Sequence, residues 1–274
     1  PVRGGGLAQA HLQRAVFKGG TSLSKAYGIG ARFSEDVDVA IAEAWTLSGN
    51  QLKNLIRRTA HRMTEGLAEI VIPGKTSKRS HYHKAYYHYP QVMETQAATS
   101  INPGQILIEI NSFANPYPYE SLAIESFLTT FFRQSGNQDL IDEFDMQPFS
   151  VAVLDKRRTL TEKLVSLMRC SLANDYLTQL SAKIRHFYDL HYLSRDRAVN
   201  EYLKSEEFRS DFRELFTHDR QQFDKPEGWR ARSLEESPLL TAWDDVWKKT
   251  GPVYLKELPG LAYHEIPASD QNSD

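Results

Sequence analysis

Two aspartates one residue apart stand in the segment Asp36-Val37-Asp38. Since residues i and i+2 of a strand point to the same face, a strand here presents both carboxylates side by side. At about 4–6 Å and an effective dielectric constant of about 20, they repel each other by about 3–4 kcal/mol. A shared proton relieves this repulsion by raising one pKa, and a divalent cation relieves it at neutral pH. The pair therefore predicts a site for Mg²⁺, which prefers one or two carboxylates together with phosphate oxygens.

A glycine turn, KGGTS at residues 18–22, lies between the apolar segment 14–17 and a segment of helical composition. Glycines between a strand and a helix let the backbone approach a bulky anion, toward which the first helical amides point. Thr21 or Ser22 can cap that helix or donate a hydroxyl to phosphate. Each motif alone is common as a turn or a solvated strand edge. Their combination predicts a triphosphate site.

A third carboxylate, Glu109, interrupts the aliphatic run at residues 106–110. One explanation is a glutamate at a strand end or sheet edge that faces water. The other is a carboxylate that an adjacent strand places beside Asp36 and Asp38. Glu109 would then complete a two-metal site or take the proton of the acceptor.

Basic and aromatic side chains alternate between Val71 and Met93, a run without an acidic residue. Its cations are Lys75, Lys78, Arg79 and Lys84. At strand spacing, such side chains suit phosphate contacts and base stacking on an unpaired RNA end. A solvent-facing hairpin whose tyrosines cover the edge of the core explains the pattern equally well.

The elements that position these residues change in type along the chain. Apolar residues at helical spacing predict a helix over 51–70. The segments 81–92 and 106–113 alternate around a turn and predict a hairpin. From about residue 155 onward the periodicity is helical. Strands followed by helices predict an α+β fold, with a catalytic domain over 1–150 and a helical domain over 151–274.

The composition is that of a folded protein, with 41% hydrophobic and 25% charged residues among 274. It excludes disordered, collagen-like and low-complexity chains. The formal net charge of -2 requires any nucleic-acid contact to come from a local patch. The single cysteine, Cys170, fits a reducing, cytoplasmic compartment. No apolar run approaches the roughly 20 residues that span a bilayer, so no membrane association is expected.

Residues 16–41, VFKGGTSLSKAYGIGARFSEDVDVAI, resemble the G-[GS]-x(n)-D-x-D signature of polymerase-β-like nucleotidyltransferases, in the form found in AbiEii/AbiGii toxins. Residues 162–169 and 185–190 are similar to two further helical motifs of that family, K-h-x-A-L and R-x-x-x-D-L. Ser166 replaces the usual alanine, and His186 stands where some members have an acidic residue. The resemblance implies a nucleotidyltransferase domain with a small mixed sheet, followed by a mostly helical C-terminal domain that contributes nucleotide- and acceptor-site residues.

The resemblance also implies an activity and partners. It implies a Mg²⁺-dependent toxin that transfers a nucleoside monophosphate from an NTP to RNA, at the tRNA 3′ end in characterised relatives, and so blocks translation. A cognate antitoxin is the implied partner. There are two alternatives. The acceptor is a small molecule or a protein instead of RNA, or the chain is a catalytically silent partner-binding protein.

The site residues expected from the motifs fall into three groups. Metal is assigned to Asp36 and Asp38, the nucleotide to Gly19, Gly20, Thr21, Ser22 and Lys163, and the base role to Glu109 or Asp189. Without the resemblance, Lys163 and Asp189 belong to ordinary surface ion pairs on helices.

Overall fold

The computed structural model describes residues 14–34, 36–90 and 104–267. These residues divide into two compact units. The first unit comprises residues 14–28, 34, 36–90 and 104–155. The second comprises residues 29–33 and 156–267. None of the described helices is long and apolar enough to cross a membrane.

Within the described residues, the first unit holds one mixed sheet of eight strands. The strands are β1 (Ala15–Lys18), β2 (Asp36–Ile41), β3 (Ala68–Ile70), β4 (Ser77–Lys78), β5 (Tyr82–His88), β6 (Gln105–Asn111), β7 (Tyr119–Ile124) and β8 (Phe149–Leu154). Their order is β3-β5-β6-β2-β1-β8-β7, and β4 also pairs with β5. Strand β2 runs parallel to β6 and antiparallel to β1. The mixed sheet of the α+β prediction is confirmed, and β7 and β8 extend it beyond β1.

The predicted hairpin is confirmed as the antiparallel pair β5 and β6. Residues 91–103 of its connection lie outside the described residues. Strand β8 pairs with β1 and β7, and the first unit extends to residue 155.

Four helices belong to the first unit as described: α1 (Gly19–Ala26), α2 (Gly49–Met63), α3 (Phe127–Gln134) and α4 (Gln138–Glu143). Helix α2 begins with a capping box between Ser48 and Gln51. The predicted helix over 51–70 is too long, since Gly66 takes a φ of 82° and residues 68–70 pair with β5.

The two faces of the central strands differ in character. One face packs against the apolar stripe of α2. The sheet residues in this core are Val39, Ile41, Ala85, Tyr87, Ile108 and Ile110. Because side chains alternate along a strand, Asp36, Asp38 and Glu109 project from the opposite face.

The second unit is helical. Its helices are α5 (Lys156–Ser171), α6 (Tyr176–Ser181), α7 (Ile184–Arg195), α8 (Arg197–Leu203), α9 (Glu206–Gln222), α10 (Pro238–Thr241) and α11 (Trp243–Glu257). Leu167 of α5, Tyr188 of α7 and Tyr254 of α11 share one apolar cluster. Cys170 is buried on α5, as a small apolar side chain would be.

Candidate active site

Four charged residues form one row across the sheet. The register pairs Lys18 of β1 with Asp38 of β2, Asp38 with Glu109 of β6, and Glu109 with Lys84 of β5. Paired residues of neighbouring strands project to the same face at the inter-strand spacing of about 4.8 Å. Asp36 projects from the same face as Asp38, two residues earlier. The structure thus brings Asp36, Asp38 and Glu109 to one face of the first unit.

Glu109 is held by two side chains of β5. Lys84 Nζ lies 2.5 Å from Glu109 Oε1, and the Tyr82 hydroxyl donates to Glu109 Oε2 at 3.0 Å. Strand β6 lies between β5 and β2, so Glu109 is not the edge glutamate of the first explanation. Its side chain is only 20% exposed.

The pKa values of Tyr82 and Lys84 are shifted by the negative charge of this face. Burial raises the pKa of Tyr82, and the charges of Glu109 and Asp38 raise it further. Burial alone would lower the pKa of Lys84, but the hydrogen bond and charge of Glu109, with a contribution from Asp36, raise it above its ordinary value. Lys84 therefore stays protonated and offsets part of the acidic charge.

Asp36 and Asp38 are the residues of this face whose chemistry suits a metal ion. In the described part of the chain, no group of three or more His, Cys, Asp or Glu is placed to hold a metal. Lys84 and Tyr82 engage the two oxygens of Glu109, and the role of Glu109 in a two-metal site stays a prediction. Two hard carboxylates that share a face suit Mg²⁺, which takes its other ligands from phosphate and water.

Gly19 joins the start of α1 to this face. Its φ is +81°, and a Cβ there would overlap Asp38 Oδ2 and lie 3.1 Å from Asp38 Cγ. Both the backbone and the neighbouring carboxylate therefore require glycine. Helix α1 begins directly at Gly19, and Lys18 at its N-cap makes no side-chain capping bond.

The hydroxyl groups of α1 contact backbone carbonyls. Thr21 Oγ1 donates to the Asp36 carbonyl oxygen at 2.5 Å, which ties α1 to β2. Ser22 is fully buried, and its hydroxyl donates to the Gly19 carbonyl oxygen at 2.9 Å. The expectation that either residue caps the helix is wrong, because the N-cap is Lys18.

The cations predicted to contact RNA do not form one uniform patch. Lys78 pairs with Glu69 at 2.6 Å, and Lys84 pairs with Glu109. Lys75 and Arg79 are exposed. The run from 71 to 93 contains no acidic residue, but strand pairing places Glu69 and Glu109 beside two of its lysines.

Lys163 and Asp189 meet in the second unit, in a buried cluster with Arg32. Lys163 Nζ donates to Asp189 Oδ2 at 2.7 Å. Arg32 donates to both carboxylate oxygens of Asp189, each at 2.8 Å. All three residues are less than 8% exposed, so this is not a surface ion pair. The three groups together carry a formal charge of +1.

The environment of Asp189 disfavours the base role. Burial alone would raise the pKa of Asp189, but Lys163 and Arg32 hold it well below its usual range. A carboxylate with so low a pKa has little tendency to take a proton.

Arg32 is a residue to which the sequence motifs assign no role. It lies in segment 29–33, where the Ala31 amide donates to the Tyr188 hydroxyl at 2.9 Å. The Phe33 amide also donates to the Leu261 carbonyl at 2.9 Å. The spacing of a single arginine in a loop predicts no role. The one feature of the sequence that could have singled out Arg32 is its position inside the motif of residues 16–41.

The fold and this site together have the arrangement of a nucleotidyltransferase: a mixed sheet, a glycine at the strand–helix junction, and paired aspartates on the next strand. The family model described as nucleotidyl transferase AbiEii toxin, type IV TA system, matches residues 7–259. The chain belongs to this family and is a nucleotidyltransferase toxin of a type IV toxin–antitoxin system, which confirms the resemblance. Its family implies a nucleotide substrate and an antitoxin partner. Comparison with curated proteins finds no match.

Proposed function

We propose that this toxin transfers a nucleoside monophosphate from an NTP to the unpaired 3′ end of an RNA, with tRNA as the acceptor, in a Mg²⁺-dependent reaction that blocks translation. The observation that carries the proposal is the shared face of Asp36 and Asp38 beside the glycine-lined start of α1. The family supplies the reaction class.

Asp36 and Asp38 are the residues that would hold the metal ion. A Mg²⁺ ion held there would supply positive charge that offsets the negative charge of the phosphates and of the leaving pyrophosphate. The backbone at Gly19 and Gly20, at the positive end of the helix dipole, binds the triphosphate. Lys163 is a further candidate phosphate contact, since Arg32 would still hold both oxygens of Asp189 if Lys163 released it.

Glu109 is the proposed base. It accepts the proton of the attacking RNA hydroxyl, whose oxygen forms a bond to the α-phosphorus as the bond from that phosphorus to pyrophosphate breaks. Tyr82 and Lys84 fix the orientation of its carboxylate by the contacts described above.

The proposal is tested by incubating the protein with total bacterial RNA and each NTP labelled at the α-phosphate, with Mg²⁺ or with a chelator. We expect labelled tRNA with at least one NTP and no label with chelator. Label on protein or on a small molecule would contradict the RNA acceptor. Transfer that persists with chelator would contradict the metal requirement.

A further inference from the structure

A cavity of about 520 Å³ opens at the turn between β4 and β5 in the first unit. Its lining residues are Ser77, Arg79, Ser80, His81, Tyr82 and Phe113. Pockets that hold small ligands have volumes of about 300–1,000 Å³. The cavity therefore has room for a single flat ring system with its polar attachments.

Two aromatic rings form one wall of this cavity. The ring centroids of Tyr82 and Phe113 are 5.7 Å apart, with an interplanar angle of 35°. Phe113 is 38% exposed, although aromatic rings usually bury most of their surface. Exposed aromatic rings with a nearby cation are the usual platform for single-stranded nucleic acid, because every base has a face that stacks.

The polar rim of the cavity suits a nucleotide. Arg79 is exposed at the turn, where its amide donates to the Tyr82 carbonyl oxygen at 2.7 Å. Its guanidinium is the type of group that contacts phosphate. His81 Nδ1 lies 3.2 Å from Ser112 Oγ, which restrains the imidazole at the rim.

The cavity lies beside Glu109, on the side away from Gly19. The Tyr82 hydroxyl that donates to Glu109 belongs to a cavity wall. Gly19 follows β1, and the strand order from there is β1-β2-β6-β5. Three strand spacings, about 14 Å, therefore separate the phosphate-binding end from the strand that carries Tyr82. The carboxylates of β2 and β6 lie between the two.

We propose that this cavity binds an unpaired nucleobase at the end of the acceptor RNA and so places the terminal hydroxyl near Glu109. The inference rests on the proposed function and names the acceptor subsite of the same reaction. With the phosphates of the NTP at Gly19, on the other side of the carboxylates, this cavity is the one we assign to the second substrate.

The test measures binding rather than transfer. The Kd of the full chain for a short, fluorescently labelled, unpaired RNA is measured by anisotropy without NTP and with chelator. Phe113→Ala weakens RNA binding by about tenfold, the loss typical of one stacked base, and Phe113→Tyr restores it. Arg79→Ala also weakens binding, and its site is exposed, so the fold is kept. The control is Phe131→Ala on α3, another exposed aromatic residue, which leaves binding unchanged.

The outcomes separate this inference from the proposed function. If the wild-type protein binds and labels RNA while Phe113→Ala and Arg79→Ala bind it equally well, the cavity assignment is overturned and the proposed function stands. A loss of NTP affinity in Phe113→Ala, with RNA affinity unchanged, also overturns it, because the cavity then holds the base of the NTP. If the wild-type protein neither binds nor labels RNA, both proposals fail.

Discussion

Gly19 is the residue at which backbone conformation meets the chemistry of the face. Its positive φ and its closeness to Asp38 are two separate reasons why this position requires glycine. Gly28, just after α1, shares only the positive φ. Gly28 also has a positive φ, of 64°, but a Cβ there would meet nothing within 4 Å. A comparison of substitutions at Gly19 and Gly28 therefore separates the cost of backbone strain from the effect on Asp38.

We expect Gly19→Ala and Gly28→Ala each to lower the free energy of unfolding by about 1–2 kcal/mol, the cost of the left-handed conformation for alanine. Only Gly19→Ala should also abolish nucleotide transfer, because its methyl group displaces the Asp38 carboxylate. Chemical denaturation and the labelled-NTP assay measure the two effects. Equal transfer by both variants would refute the close approach of Gly19 to Asp38.

Asp189 is the residue on which the buried cluster depends. Asp189→Asn leaves Arg32 and Lys163 buried without their counter-charge, and we expect a loss of about 3–5 kcal/mol in the free energy of unfolding. The matched control is Glu201→Gln, which breaks an exposed pair with Arg197 and should cost less than about 1 kcal/mol. Urea denaturation compares them. Similar losses for both variants would show that the cluster contributes no more than a surface pair.

The same cluster predicts a pH dependence. Because the folded pKa of Asp189 is depressed, its contribution is complete above the unfolded value of about 3.9 and is lost as the pH falls toward the folded value. The stability difference between the wild-type protein and Asp189→Asn should be constant above about pH 5. Below about pH 4 it should shrink by up to about 1.4 kcal/mol per pH unit. A difference that stays constant down to pH 3 would contradict the depressed pKa.

At the scale of elements, the sequence predicted the features that depend on local patterns better than those that depend on pairing with distant segments. The order β1, α1, β2 follows from an apolar run, a glycine turn and alternating residues, all of which are local signals. Residues 68–70 continue the apolar pattern of α2, and only their pairing with β5 reveals a strand. The partners of Glu109 and Asp189 also come from distant segments, so their ion pairs could not be predicted from spacing.

The capping box of α2 allows a prediction about an element that carries none of the residues assigned to nucleotide transfer. Ser48 accepts from the Gln51 amide, and the Gln51 side chain accepts from the Ser48 amide. Ser48→Ala should destabilise the protein by about 1 kcal/mol and leave transfer unchanged. Gln51→Ala should cost less when added to Ser48→Ala than alone, since the two contacts form one box. Fully additive losses in thermal unfolding would show that the box is not formed.

At the scale of the whole molecule, a formal charge of -2 gives no general attraction for RNA. Family membership supplies the reaction class, and the described residues place the aspartate pair and Glu109 on one face of the first unit. The composition predicted a folded chain, but it could not predict which side chains share a face, because a residue count carries no information about position.

The most direct test of the account is nucleotide transfer by Asp36→Asn and Asp38→Asn, nearly isosteric changes that remove one negative charge each. We expect each variant to lose transfer of labelled NTP to RNA by at least a hundredfold while its thermal unfolding is unchanged. The control is Asp139→Asn, an exposed aspartate on α4 that should transfer normally. Transfer at the wild-type rate by either site variant would contradict the claim that this pair holds the catalytic metal.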